Sequence, residues 1–259
     1  VGAAGGVPPY EYSIDNGTNW VSANVFSNLT PGTYNQLKVR DDNGCEIFAS
    51  TTTIDEPAEL ILSIDVAEDI SCNGLTDGEI ELSATGGTLP YNFSIDGGTS
   101  FQNGGLFQNL TAGSYNLVVE DDNGCTDTDV QDLIEPAAVI LDDTNFVNPS
   151  CNGATDGSIE IIVSGGVAPY EYTVNNGSTW LPNNTVTGLP AGTYTVSGRD
   201  DNQCEIVGGS FDITLVEPSA VTIAIDSSFD ISCNGGSDGR IYFSASGGTP
   251  PYEYSADGG

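Results

Sequence analysis

Two kinds of residue in this chain could do chemistry beyond packing: its six cysteines and a recurring set of carboxylates. The cysteines stand in two settings, D-x-x-C at Cys45, Cys125 and Cys204, and S-C-N-G at Cys72, Cys151 and Cys233. Such usage in an acidic, β-rich chain implies an oxidising compartment and disulfides. The carboxylates stand in three settings. Asp41-Asp42, Asp121-Asp122 and Asp200-Asp201 lead into the first class of cysteine, and Asp77, Asp156 and Asp238 sit in a D-G turn after the second. Glu56, Glu135 and Glu217 each precede a proline. Hard oxygen ligands drawn from different loops are what Ca2+ takes, roughly six to eight per ion. No contiguous D-x-D-x-D-G loop is present, so calcium is expected only if separate loops converge. The competing use is plainer: Asp-Asn-Gly is good turn chemistry, and surface acids keep a protein soluble.

Other chemistries find no foothold. The chain has no histidine, hence no Ser-His or Cys-His pair, and neither an enzyme nor a zinc site is expected. Its 37 acids face four bases (Lys38, Arg40, Arg199 and Arg240), a formal charge of -33. Nucleic acid is therefore not expected as a partner, and an anionic membrane surface is disfavoured. No apolar run approaches the ~20 residues that cross a bilayer, so no membrane insertion is expected in this segment.

The elements that must position these groups are written repeatedly. GGVPPYEYSIDNG, GGTLPYNFSIDGG, GGVAPYEYTVNNG and GGTPPYEYSADGG end at Gly17, Gly98, Gly177 and Gly259. Their tyrosines after proline, at Tyr10, Tyr91, Tyr170 and Tyr252, step by 81, 79 and 82 residues. A unit of that length is the size of a small domain with its own core, longer than a solenoid turn of about 20–50 residues. The expected division is 1–57 (a repeat lacking its opening strands), 58–136 and 137–218 (complete), and 219–259 (lacking its closing strands), as though cut from a longer array.

Within a repeat the apolar period is two, never helical. In EIELSA, Ile80, Leu82 and Ala84 alternate with Glu79, Glu81 and Ser83, and Ile159, Ile161 and Val163 repeat the pattern. SYNLVVE turns Tyr115, Leu117 and Val119 inward, and Gly97-Gly98 reads as a hairpin signal. About seven short strands per unit predict a Greek-key β-sandwich. L-x-x-G-x-Y at Tyr34, Tyr115 and Tyr194 is similar to the tyrosine corner of immunoglobulin-like sandwiches, a structural role. Gly32 lies 13 residues before Cys45, whereas Gly113 and Gly192 lie 12 before Cys125 and Cys204. One extra residue near Asn35 or Gln36 would flip every later side chain unless absorbed locally, which predicts a β-bulge there.

Taken in order, GG-x-x-PY, L-x-x-G-[TS]-Y, D-[DN]-[NQ]-x-C, E-P and S-C-N-G-x-x-D-G resemble the SprB-type repeat of very large cell-surface adhesins of gliding and other Bacteroidota. The resemblance covers essentially the whole chain. It implies tandem immunoglobulin-like domains of about 80 residues, end to end, outside the cell or at its surface, with adhesive or filament-forming use and no catalytic residues. Two departures are small: Gln203 replaces a turn glycine, and Phe101 replaces the tryptophan of Trp20 and Trp180. Those aromatics could be exposed contacts or a cap over the sandwich edge.

The cysteine pairing stays open at this point. Cys72 to Cys125 and Cys151 to Cys204 are both 53 residues, which suits pairing within a repeat. In a head-to-tail sandwich, however, those cysteines lie at opposite poles, some 25–35 Å apart for strands of this length. A disulfide needs Cα atoms within about 7 Å. A staple across a joint, Cys72 to Cys204, is the preferred pairing and would leave Cys151 without a partner in this chain. Pairing across the linkers (Cys45–Cys72, Cys125–Cys151, Cys204–Cys233) and free thiols are the remaining possibilities. The same stacking would bring all three sets of acids to the joints, where Ca2+ could stiffen the array. Expected partners are further repeats and possibly other copies in a filament. Self-polymerisation by strand complementation and binding of surface glycans are the alternative functions. N-x-S/T triplets at Asn16, Asn28, Asn92, Asn109, Asn176 and Asn183 read as turn composition rather than glycan sites.

Overall fold

The computed structural model describes residues 2–255, and among them every regular element is a strand. The first repeat holds β1 (Glu11–Ser13), β2 (Gly32–Tyr34), β3 (Lys38–Arg40), β4 (Glu46–Phe48) and β5 (Thr52–Ile54). The second holds β6 (Ile61–Glu68), β7 (Gly78–Thr85), β8 (Asn92–Ser94), β9 (Leu106–Leu110), β10 (Gly113–Glu120) and β11 (Thr126–Leu133). The third holds β12 (Ile140–Val147), β13 (Gly157–Ser164), β14 (Glu171–Thr173), β15 (Thr185–Leu189), β16 (Gly192–Arg199) and β17 (Phe211–Leu215). The fourth supplies β18 (Thr222–Phe229) and β19 (Arg240–Ser246). The chain forms two compact units: Val1–Ser63 with Ser83–Gly104 and Leu117–Asp129, and Ile64–Leu82 with Gly105–Asn116 and Val130–Gly259.

The third repeat, within the second unit, shows the fold completely. Period-two alternation in β13 buries Ile159, Ile161 and Val163 on one face. Its first residue must be glycine, since a Cβ on Gly157 would stand 2.7 Å from the carbonyl oxygen of Leu189. One sheet has the order β12-β13-β15 and the other β14-β16-β17, all antiparallel. The chain changes sheet from β13 to β14, from β14 to β15 and again from β15 to β16, the Greek-key connection of an immunoglobulin-like sandwich. The core between them joins Val139, Ile159, Ile161 and Val163 to Tyr172, Val196, Ile206, Ile213 and Leu215. Burial of Ile161 alone contributes about 1.5–3 kcal/mol. Its truncation to alanine would cost about 2–5 kcal/mol.

Six strands form where about seven were expected. The missing one is a single bridge, Tyr172 to Leu181, matched by Tyr12 to Val21 and Phe93 to Gln102. Gly97-Gly98 therefore closes no extended hairpin; it returns the chain only as far as that bridge. The fourth such turn, at Gly258-Gly259, lies outside the described residues. The strand orders β6-β7-β9 and β8-β10-β11 repeat the third copy's arrangement. In the second unit, Ile70, Ile80, Leu82 and Leu133 are buried, and β18 pairs with β19 over Thr222–Phe229.

In the first unit, β1-β3-β4 form one sheet, β2 pairs with β5, and Leu60, Phe93, Leu117 and Val119 are buried. The extra residue near Asn35 takes a different form from the expected bulge. The strand that is continuous over Gly113–Glu120 and Gly192–Arg199 is broken between Tyr34 and Lys38. Past the break the register is restored. Val39 faces Tyr12 as Val119 faces Phe93 and Gly198 faces Tyr172, each six residues before its cysteine.

Candidate functional site

The D-D-x-x-C loop is organised by its first aspartate. Asp200, 1 % exposed, accepts the Cys204 N–H at 2.8 Å through Oδ1 and the Val167 N–H at 2.9 Å through Oδ2. Asp121 does the same for Cys125, Asn123 and Thr88, and Asp41 for Cys45, Asn43 and Val7. Each carboxylate thus ties its own turn to the Gly-Gly loop some 34 residues upstream. The Cys45 and Val7 amides hold Asp41 below the usual carboxylate range. Burial opposes the same shift at Asp121, yet the Cys125, Thr88 and Asn123 amides win and its pKa is also lowered.

The Gly-Gly loop is closed by a second latch. The hydroxyls of Tyr10, Tyr91, Tyr170 and Tyr252 donate to the carbonyl oxygens of Gly5, Gly86, Gly165 and Gly247, at 2.5–2.6 Å. A cis peptide precedes the proline before each tyrosine. Gly86 and Gly165 have positive φ and press against the backbone of Glu59 and Ala138, so no side chain fits there. This role for the Pro-Tyr tyrosines was missed by sequence reasoning, although the fixed five-residue spacing to glycine carried the signal.

At the S-C-N-G turn the acids serve the backbone as well. Asp77 accepts from the Ser71 amide and hydroxyl, and Asp156 and Asp238 accept the Ser150 and Ser232 amides. Hydrogen bonds from those serines hold the three aspartates below the usual range. Glu135 accepts the Gly74 N–H at 2.6 Å and Glu217 the Gly153 N–H at 2.7 Å. Asn73 and Asn152 donate in turn to the carbonyl oxygens of Pro136 and Pro218. The Glu-Pro and S-C-N-G motifs are therefore two halves of one cap on the same repeat.

These bonds bear directly on calcium. Asp41, Asp77, Asp121, Asp156, Asp200 and Asp238, with Glu135 and Glu217, spend carboxylate oxygens on turn amides, while Asp42, Asp122, Asp201 and Glu56 lie exposed. Among the described residues no three Asp, Glu, Cys or His side chains gather as a metal site would need. The donor set present does not fit a Ca2+ ion held by several carboxylates.

Cys72 and Cys204 are joined by a disulfide, Cα atoms 5.7 Å apart and 132 residues distant in sequence. Beside it the Asn202 side chain donates to the Ser71 carbonyl at 2.8 Å. Cys45, Cys125, Cys151 and Cys233 are exposed and unbonded. The turn that presents Cys204 has Gln203 at φ 66, where Gly44 and Gly124 take φ 78 and 79. A non-glycine residue is strained there.

The remaining singled-out residues are structural in place. Tyr34, Tyr115 and Tyr194 donate to the carbonyl oxygens of Thr30, Thr111 and Pro190, each four residues upstream. Trp20 and Trp180 lie half-buried under Arg40 and Arg199, whose guanidinium carbons stand 4.5 and 4.3 Å from the ring centroids. The same arginines pair with Glu11 and Glu171 at 2.5 Å. The second repeat replaces the whole triad together, with Phe101, Glu120 and Asn92. A cleft of about 350 Å3 beside Arg199 is lined by Tyr170, Glu171 and Asp201, but its guanidinium is already committed. Asn16, Asn28 and Asn176 adopt positive φ in turns and bends, and Asn109 does so inside β9 where the pairing with β7 shifts register, so four of the six N-x-S/T asparagines serve the backbone. Among the described residues no helix is long and apolar enough to cross a membrane.

A family model described as the SprB repeat matches residues 64–100, 144–179 and 226–259. No curated protein matches the chain. Among solved structures, three N-terminal domains of the bacteriophage RB49 highly immunogenic outer capsid protein are 14 % identical, with a TM-score of 0.38 over 80 % of this chain and 84 % of that one. A C-terminal intimin fragment, solved with the intimin-binding domain of its translocated receptor, is 14 % identical with a TM-score of 0.33 over 66 % and 67 %. SGBP-B of the Bacteroides ovatus mixed-linkage glucan utilization locus, solved with a mixed-linkage heptasaccharide, is 14 % identical with a TM-score of 0.20 over 88 % and 65 %. At that distance none of them bears on function, and the fold stands on the strand pairing itself.

Proposed function

Since this chain is an array of SprB repeats, we propose that it is a non-catalytic, extracellular structural and adhesive segment, part of a stalk or surface filament. In this proposal residues 1–57, 58–136, 137–218 and 219–259 are successive repeats; the two complete ones carry both cysteine positions, and the first and last carry one each, Cys45 and Cys233. The observation that carries the reading is the Cys72–Cys204 bond, which ties one repeat to the next. A link of that kind serves a protein that must keep neighbouring modules in fixed order outside the cell. Many modest contacts along such an array would gain through effective concentration. Stiffness comes from the disulfide and the capped turns, and calcium is assigned no site. An antibody against the chain should label intact cells of the source organism. Label that appears only after permeabilisation would overturn the reading.

One observation favours a second reading, self-association by strand complementation. On the β18–β19 hairpin Val221 and Ile241 are each 64 % exposed, whereas their counterparts Val139 and Ile159 are 2 % and 0 % exposed. Strands supplied by another copy and packed as a second sheet would cover that face, as β14, β16 and β17 cover Ile159. Light scattering on the purified chain decides it: a mass that stays monomeric across a hundredfold concentration range excludes this reading.

A further inference from the structure

We infer that the Cys72–Cys204 disulfide is a load path: tension along the array crosses from the second repeat to the third through sulfur, bypassing the non-covalent contacts of the joint. The inference rests on the stalk reading above. A pulled chain transmits force through its covalent bonds, so a cross-link removes everything inside its loop from the loaded path. Here residues 73–203 lie inside. Cys72 follows β6, the opening strand of its repeat, and Cys204 precedes β17, the closing strand of the next. Only those two strands stay in series with the load. The rest of both sandwiches, with the linker between them, is excused from it.

The placement is what a load path requires. A disulfide between Cys72 and Cys125 would staple one repeat and leave the linker to carry tension. The bond observed encloses the linker instead. The remaining cysteines occupy the same two places in their repeats. Cys151 and Cys233 follow the opening strands β12 and β18, and Cys45 and Cys125 precede β4 and β11. A joint built like this one can therefore be bridged wherever the array continues.

Single-molecule pulling of the whole chain by its two ends tests this. Fully stretched, the oxidised chain should be shorter than the chain reduced to thiols by dithiothreitol by about 450 Å, the extended span of the enclosed loop. Cys204→Ser should reproduce the reduced length without reductant, and Cys151→Ser should keep the oxidised one. Non-reducing peptide mapping of the same sample should recover Cys72 bonded to Cys204. Equal lengths with and without reductant, or Cys72 recovered with another partner, would overturn the inference. Surface labelling judges the stalk reading separately, so a shortened oxidised chain found only inside cells would remove the stalk and leave the bypass.

Discussion

Glu217 reaches back 64 residues to accept the backbone N–H of Gly153 at 2.7 Å, and Glu135 does the same for Gly74 at 2.6 Å. The glutamates before Pro136 and Pro218 are thereby turn caps, each holding the last strand of its sandwich to the loop after its first. Glu217→Ala should lower the stability of the third repeat by about 1 kcal/mol, the net worth of an exposed bond to a charged acceptor. The local signature is sharper than the global one: hydrogen exchange at the Gly153 amide should accelerate while the amides of β13 keep their protection. Unchanged exchange at Gly153 would remove the cap.

The paired aspartates divide their labour. Asp200 is buried and receives the Cys204 and Val167 amides, whereas Asp201 is exposed. Asp200→Ala leaves those donors unsatisfied in a closed loop and should cost on the order of 3 kcal/mol. Asp201→Ala should stay within about 0.5 kcal/mol of the parent, as surface substitutions do. Urea midpoints compare the two; equal effects would mean that the loop relaxes to re-satisfy its amides.

Acid should unfold the chain through its turn aspartates. The Asn19 amide and the Ser13 hydroxyl hold Asp15 at about 2, and the Ser100 and Ser94 hydroxyls hold Asp96 at about 2. A carboxylate whose folded pKa is depressed adds stability above its unfolded value, near 4, and loses it as pH falls through the folded one. The urea midpoint should therefore fall steadily between about pH 4 and pH 2. The double variant Asp15→Asn, Asp96→Asn should flatten that fall. A midpoint that holds level down to pH 2.5 would contradict the assignment.

How much of this was legible beforehand differs by element. Period-two burial at Ile159, Ile161 and Val163 and the sandwich itself followed from alternation, because a strand with one buried face writes that face into its sequence. The fate of the extra residue near Asn35 did not, since a bulge and a strand break absorb one residue equally well and only the neighbours decide. The acids could be read in two ways for a physical reason. A carboxylate that accepts turn amides and one that ligates a cation have the same composition and occupy the same loops. Asp200 and Asp201, adjacent in sequence, separate only when burial and direction are known. The Tyr170 hydroxyl to Gly165 bond was only half legible: the constant five-residue spacing marked the pair, but nothing in the sequence said that the ring would turn back to that carbonyl.

Divalent cations give a further test. With a charge of -33 the chain attracts any of them diffusely. A chelating site prefers Ca2+ over Mg2+ because Mg2+ demands near-ideal octahedral geometry and gives up its waters reluctantly. Without such a site, the two ions at equal millimolar concentration should raise Tm equally, and a chelator should return it to the starting value. A rise specific to Ca2+ would require carboxylates to converge in a way the described residues do not.

Ser197 offers a gain rather than a loss. Its side chain is 2 % exposed, and its hydroxyl oxygen has no hydrogen-bond partner among the described residues. Across the strand Thr173 cannot help, because its own hydroxyl donates to Asn175 and accepts the Gly177 amide. A buried hydroxyl without a partner costs about 1–3 kcal/mol. The second repeat places Val118 at the same position, opposite Ser94, so the sandwich already accommodates a branched apolar side chain there. Ser197→Val should therefore stabilise the third repeat by about 1–2 kcal/mol, read as a higher urea midpoint with an unchanged slope. Ser197→Thr separates the causes, since it adds a methyl group and keeps the hydroxyl. A threonine gain equal to that of valine would assign the effect to packing and leave the orphaned oxygen without consequence.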